Sequence, residues 1–294
     1  MPSSCFCHGE GLQGWRRGEH DGWVRPTRLF LMTVSLTLLS GCLRWLPAPT
    51  PMRAVKDELA GARARCLVVF LPGAGDEAEV FAEEGFVRAL RQRGLSVDVV
   101  AANATLGYYF RGVLTERLDQ DVVTPARAKG YEQTWVVGIS MGGMGTLLYS
   151  RERPAHVNGV LALAPYLGSG GLLKEIREAG GLARWKAPAR VETLTEDNYQ
   201  RELWRWLQAV TAGREPGPQL YLGYGHQDRL ADEDKLLGDA LPAGHVYLTE
   251  GGHEWEPWRR LFEQFLSNSS FTAACGPQAS ATAGSRDPRS GAPR

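Results

Sequence analysis

The chain has 294 residues, 43% of them apolar and 22% charged, with 33 basic and 33 acidic side chains. Those proportions exclude a wholly disordered chain, a collagen-like one and a multi-span membrane protein, and they leave apolar material for one large domain or two small ones. Zero net charge offers no basic field to a nucleic acid, and five scattered cysteines (Cys5, Cys7, Cys42, Cys66 and Cys275) are too few for a disulfide scaffold and carry no metal-ligand spacing, so no nucleic-acid partner, metal or cofactor is expected.

The first apolar run, LFLMTVSLTLL at 29–39, is too short to cross a bilayer, which takes about 18–20 residues. It has the length of the apolar stretch of a secretory signal, with Arg25 and Arg28 as its basic flank. It ends in Leu39-Ser40-Gly41-Cys42. That ending resembles a bacterial lipobox, and the resemblance implies cleavage before Cys42 and lipidation of its thiol. Residues 1–42 are then signal peptide and lipobox, and the mature chain is a lipoprotein held to a membrane of the bacterial cell envelope, outside the cytoplasm. Several acyl chains on one residue anchor firmly where one chain would not. A buried core helix or an uncleaved anchor is the alternative. Glu10, Glu19 and Asp21 do not suit a leader, so a start nearer Val24 fits better, and Arg16-Arg17 lies too far upstream for a twin-arginine signal.

Residues 43–64, with Pro47, Pro49 and Pro51, read as a tether. From residue 65 short apolar runs alternate with amphipathic stretches. Strands are predicted at 66–71, 97–102, 135–139, 160–164, 220–224 and 246–249, and their near-continuous apolar character signals a sheet covered on both faces. Helices are predicted over 80–93, 115–129 and 255–266. The alternation implies an α/β fold with a mostly parallel sheet of about six strands. Residues 168–217 form a long excursion with Leu203, Trp206, Leu207 and Val210 at helical spacing, read as a lid; Trp204 and Trp206 read as packing residues. Residues 271–294 are aperiodic and rich in small residues, and read as a disordered tail.

The 135–139 strand runs into Gly138-Ile139-Ser140-Met141-Gly142 and then into a helix. G-x-S-x-G in that context is a nucleophile elbow, although a serine there is also an ordinary helix N-cap. A serine hydroxyl needs a base and the base needs a carboxylate. His253 follows the 246–249 strand on a glycine-bearing loop, with His226 and His245 as rivals. Asp228 follows the 220–224 strand, with Asp232 and Asp234 as rivals. Asn103, Tyr108 and Tyr109 follow the second strand at the same end and either line a substrate pocket or belong to the core; His226 could also line the pocket. His156, in a turn before a strand, reads as structural.

The order Ser140, Asp228, His253, each after a strand's C-terminal end, resembles that of the α/β-hydrolase fold, and residues 65–270 resemble a small esterase or lipase of that family. The resemblance implies a serine hydrolase that cleaves a carboxylic ester, or a related acyl bond, through an acyl-enzyme. It places an oxyanion hole at the N–H groups of Ala74 and Met141. Pro72 departs from the family, which usually has histidine there. An acyltransferase, or a non-catalytic lipoprotein that binds an acyl ligand or a protein partner, remains as the alternative. Cys66 and Cys275 could pair in an oxidising compartment, but a strand-start cysteine is more often a small buried hydrophobe, and Cys275 lies in a tail expected to be too mobile for the link.

Overall fold

A computed structural model describes residues 46–61 and 63–277. The signal run and Cys42 lie outside the described residues, as do residues 278–294 of the expected tail. Among the described residues no helix is long and apolar enough to cross a membrane.

The chain forms a mixed α/β sheet of seven strands flanked by helices: β1 (Ala54–Asp57), β2 (Cys66–Leu71), β3 (Val97–Ala102), β4 (Gln133–Ile139), β5 (Gly159–Leu163), β6 (Gln219–Gly225) and β7 (Val246–Thr249). Their order is β1-β3-β2-β4-β5-β6-β7. All neighbours from β3 to β7 run parallel. β2, β3 and β5 are buried along their whole length, as expected of central parallel strands with covered faces.

Two expectations are corrected at the N-terminal side. The sheet has seven strands, and β1 starts it by pairing antiparallel with β3, Ala54 opposite Ala102 and Asp57 opposite Val99. β1 lies inside the segment read as a tether. Its sequence, AVKD, is short and half-buried, so it carries no hydrophobic signature, and its edge position needs none.

Helices of seven residues or more are α1 (Phe86–Gln92), α2 (Met141–Glu152), α3 (Gly170–Glu178), α4 (Tyr199–Thr211), α5 (Ala231–Gly238), α6 (Trp255–Phe265) and α7 (Ser269–Cys275). The helix expected over 80–93 is cut in two by Gly85, which takes a left-handed φ of 84°. The one expected over 115–129 winds as a π-helix at Leu118–Val123. Pro125 lies two residues beyond it, and without an N–H it cannot close the regular bond to Asp121.

The 168–217 excursion is helical, but its second helix belongs to the core. β5 and β6 are parallel neighbours and need a covering crossover. α4 lies against α2 and supplies it, with Trp204 donating to the Leu167 carbonyl at 2.8 Å. Glu202, buried on α4, pairs with Arg151 of α2 and with Arg205, each at 2.8 Å. Removing one partner of such a buried set leaves an uncompensated charge, so the set resists displacement of α4.

The expected tail is corrected over its first residues. Asn268 caps α7 by accepting from the N–H groups of Ser270 and Phe271. Phe271 is buried edge-on to Trp135, with centroids 5.0 Å apart. Cys275 is disulfide-bonded to Cys66, the first residue of β2. A seven-residue polar-looking helix has too little periodicity to stand out, and its order comes from one phenylalanine and one covalent link.

Candidate active site

The chain passes from β2 to β3 on one side and then returns to β4 on the other. Strand order therefore reverses between β2 and β4, and open α/β sheets bind ligands in the crevice beyond such a reversal. The 71–75 turn leaves β2 at that crevice and Ser140 leaves β4 there.

Ser140 has φ 54° and ψ −115°, strained for any side chain and typically costing about 1–3 kcal/mol. Neighbouring backbone holds it: its N–H donates to Leu163 at 2.9 Å, and its carbonyl accepts from Met144 at 3.1 Å and Tyr166 at 3.0 Å. Gly138 and Gly142 have no room for a Cβ. One at Gly138 would strike the Gly142 carbonyl, and one at Gly142 would strike the carbonyls of Leu71 and Pro72. The elbow and the 71–75 turn are thus in backbone contact, and that contact sets the position of Ala74 relative to Met141. Ala74 is exposed in the turn; Met141 opens α2 and is half-buried.

His253 stands on the loop after β7, with Nε2 2.9 Å from Ser140 Oγ. Its Nδ1 lies 2.9 and 3.0 Å from the two carboxylate oxygens of Asp228. A carboxylate only accepts, so Nδ1 carries the proton and Nε2 is left to accept from the serine hydroxyl. The Asp228 side chain is fully buried and also accepts from the Leu230 N–H at 2.8 Å. Trp258 sets its ring edge-on to His253, centroids 4.9 Å apart.

The sequence reading missed Gln227. Its side chain donates to Glu250 at 2.7 Å and accepts from the Gly251 N–H, while its own N–H donates to the Gly251 carbonyl at 3.1 Å. One residue therefore ties the loop that carries Asp228 to the loop that carries His253. An adjacent exposed glutamine has no signature that would single it out.

The rival and pocket residues have other surroundings. His226 is exposed, and its backbone N–H donates to Thr249. His245 stacks on Tyr221 and contacts the Leu220 carbonyl at the far end of the sheet. His156 contacts Asp119 at 2.9 Å, in a polar group with Tyr149. Tyr108 takes the core alternative: it is 1% exposed and its hydroxyl donates to the Pro49 carbonyl at 2.6 Å, so a pocket role is corrected. Asn103 accepts from the Ala78 N–H at 3.0 Å and so braces the segment after β2. Tyr109 sets a buried hydroxyl, unpartnered among the described residues, against Gly145 of α2; burial raises its pKa.

Asp232 is exposed, whereas Asp234 is fully buried and neither carboxyl oxygen has a partner among the described residues. Burial first, then the charges of Asp228 and Glu233, push its pKa well above the ordinary carboxylate value. The folded state therefore holds a proton that the unfolded state releases as pH rises past the usual carboxylate pKa. Stability falls with rising pH over that window, by about 1.4 kcal/mol for each unit of difference in pKa. Asp234→Asn is expected to flatten that decline and stabilise the fold at pH 7–8. Urea unfolding at pH 5, 7 and 8 checks it; equal pH slopes for the two proteins would refute the account.

The family comparison agrees with this architecture. The Esterase family model matches residues 38–268, most of the chain. No curated protein sequence matches. Among solved structures, the chain is similar to a ferulic acid esterase at 17% identity, with 73% of this chain and 96% of the other covered and a TM-score of 0.50. It is similar to the S-formylglutathione hydrolase FrmB of Staphylococcus aureus at 12% identity (75% and 98% covered, TM-score 0.50). It is also similar to a hyperthermophilic esterase of the archaeon Pyrobaculum calidifontis at 15% identity (85% and 95% covered, TM-score 0.50). At those identities the structures speak to the fold, and the family match speaks to the class: the chain belongs to the Esterase family and is an enzyme of the α/β-hydrolase fold.

Proposed function

We propose that this enzyme hydrolyses a carboxylic ester by nucleophilic catalysis, with Ser140 as nucleophile, His253 as general base and acid, and Asp228 as the group that orients and stabilises the imidazole. The observation that supports it is the unbroken relay of 2.9 Å contacts from Oγ through the ring to the buried carboxylate. Oγ attacks the acyl carbon while Nε2 takes its proton. The carbonyl oxygen gains charge between the N–H groups of Ala74 and Met141, at the positive end of α2. Nε2 then returns the proton to the departing alkoxide. Water repeats the sequence on the acyl-enzyme, with His253 as its base, and frees the acid and Ser140. Thioesters, lactones, amides and acyl transfer to an alcohol would use the same groups. The substrate is a small or lipid-like acyl compound.

The same proposal includes export and a lipid anchor at Cys42. The Cys66–Cys275 disulfide supports export, because such links persist in oxidising compartments. One experiment reads both parts: fluorophosphonate labelling of fractionated cells. The wild type is expected to label in the membrane fraction, Cys42→Ser in the soluble fraction, and Ser140→Ala in neither. A folded wild type that takes no label would overturn the enzyme mechanism and favour a binding role. Label that stays membrane-bound in Cys42→Ser would overturn the anchor.

A further inference from the structure

The 71–75 turn carries a feature that ester cleavage by itself does not use. Asp76 follows it directly, its N–H donating to the Gly73 carbonyl at 3.3 Å, and the bond from Ala78 to Asn103 braces the chain two residues on. A methyl group at Gly73 would sit 3.3 Å from Asp76 Oδ2, 3.8 Å from Ser140 Cβ and 3.8 Å from the Ile139 carbonyl. Asp76 Oδ2 and Ser140 Cβ therefore both lie within 4 Å of the point where a side chain at residue 73 would begin, and glycine leaves that point unfilled.

No described side chain or N–H satisfies that carboxylate. Arg53 is engaged by Glu77 (2.8 Å) and Glu79, the acids that follow Asp76 in the chain. Partial burial, and after it the charge of Glu84, another anion, raises the pKa of the Asp76 carboxyl. An unpaired negative charge at this place opposes the oxyanion that forms on any neutral ester. A substrate that brings its own positive charge cancels the opposition and gains an ion pair in a partly water-excluded crevice.

We propose that Asp76 is a specificity-determining residue that selects esters bearing an ammonium or guanidinium group near the scissile bond, and disfavours esters bearing a free carboxylate. This rests on the reading of Ser140 as the nucleophile. A positive group on the acyl chain three or four bonds from the carbonyl carbon would reach the carboxylate while Oγ reaches that carbon. At this range a unit charge is expected to change relative rates by about tenfold or more.

The test uses three p-nitrophenyl esters with one leaving group and acyl chains of similar size: 4-(trimethylammonio)butanoate, its uncharged isostere 5,5-dimethylhexanoate, and the half-ester of glutarate. Release of p-nitrophenolate in the first turnover reads attack by Oγ directly. In the wild type the cationic ester is expected to react fastest and the anionic one slowest. In Asp76→Asn the ratio of cationic to neutral rates is expected to fall about tenfold, with the neutral and anionic esters each gaining several-fold. Asp76→Glu should keep the order with a smaller spread. A second arm needs no variant: raising salt from 20 mM to 500 mM should compress the wild-type ratio by screening. Equal ratios in wild type and Asp76→Asn, or a wild-type ratio indifferent to salt, would overturn the role of Asp76 and leave the nucleophile standing. No burst with any of the three esters would overturn the nucleophile, and Asp76's role with it.

Discussion

Ser140→Ala and His253→Ala are each expected to lower kcat on p-nitrophenyl acetate by about 10⁴–10⁶-fold, with the fold intact. The reason is the interdependence of the three groups. Without the imidazole the hydroxyl keeps its proton at the moment of attack; without the hydroxyl the imidazole has only water to activate. The double variant should therefore be no worse than the poorer single one, which is the signature of residues acting as a unit. Asp228→Asn should cost about 10⁴-fold for a different reason. An amide can offer N–H where the carboxylate only accepts, and Nδ1 would then lose its proton to Nε2. Thermal midpoints should stay close to wild type for Ser140→Ala, because alanine inherits the same positive φ and relieves nothing. Ser140→Gly should be inactive yet more stable, since glycine tolerates that φ. A Ser140→Ala enzyme with the wild-type rate would end the proposed mechanism.

Loss of the Cys66–Cys275 link should produce the largest change in stability. It joins residues 209 apart, and in the chain-entropy view closing a loop of that length restricts the unfolded state by about 5 kcal/mol. For a domain of this size that corresponds to a fall of roughly 10–20 °C in Tm on reduction or in Cys66→Ala/Cys275→Ala. Native contacts would go with it. The Ser96 N–H donates to the Cys275 carbonyl at 2.8 Å, and Phe271 fills the space beside Trp135 and Phe265. The rate at 25 °C should nevertheless hold. Cys66 starts β2, so the link lies at the opposite end of the sheet from Ser140. Calorimetry with and without reductant, alongside the esterase rate, checks both halves. A Tm that ignores reductant would show that the link contributes nothing to stability.

What could be read in the sequence follows from how each element is stabilised. β2, β3, β4, β5 and β6 are buried nearly end to end, so their apolar runs announce them, and with them the α/β layering. The elbow is legible because glycine is forced there by backbone contact rather than by preference. β1 and α7 were not legible, since one is held by ladder bonds at an edge and the other by a cap, a phenylalanine and a disulfide. Gln227 and Asp76 were invisible for a further reason. Each acts by where its polar end lies relative to another loop, and sequence order says nothing of which loops meet.

The reversal of β1 also fixes where the polypeptide enters the domain. β1 runs opposite to β3, so residues 46–53 come in beside the C-terminal end of β3, where the Pro49 carbonyl meets Tyr108 and the Met52 N–H meets Asp121. That is the pole of the sheet from which the serine projects. Entry at that pole sets residues 46–53 beside the reactive mouth and leaves the Cys66–Cys275 link at the opposite pole.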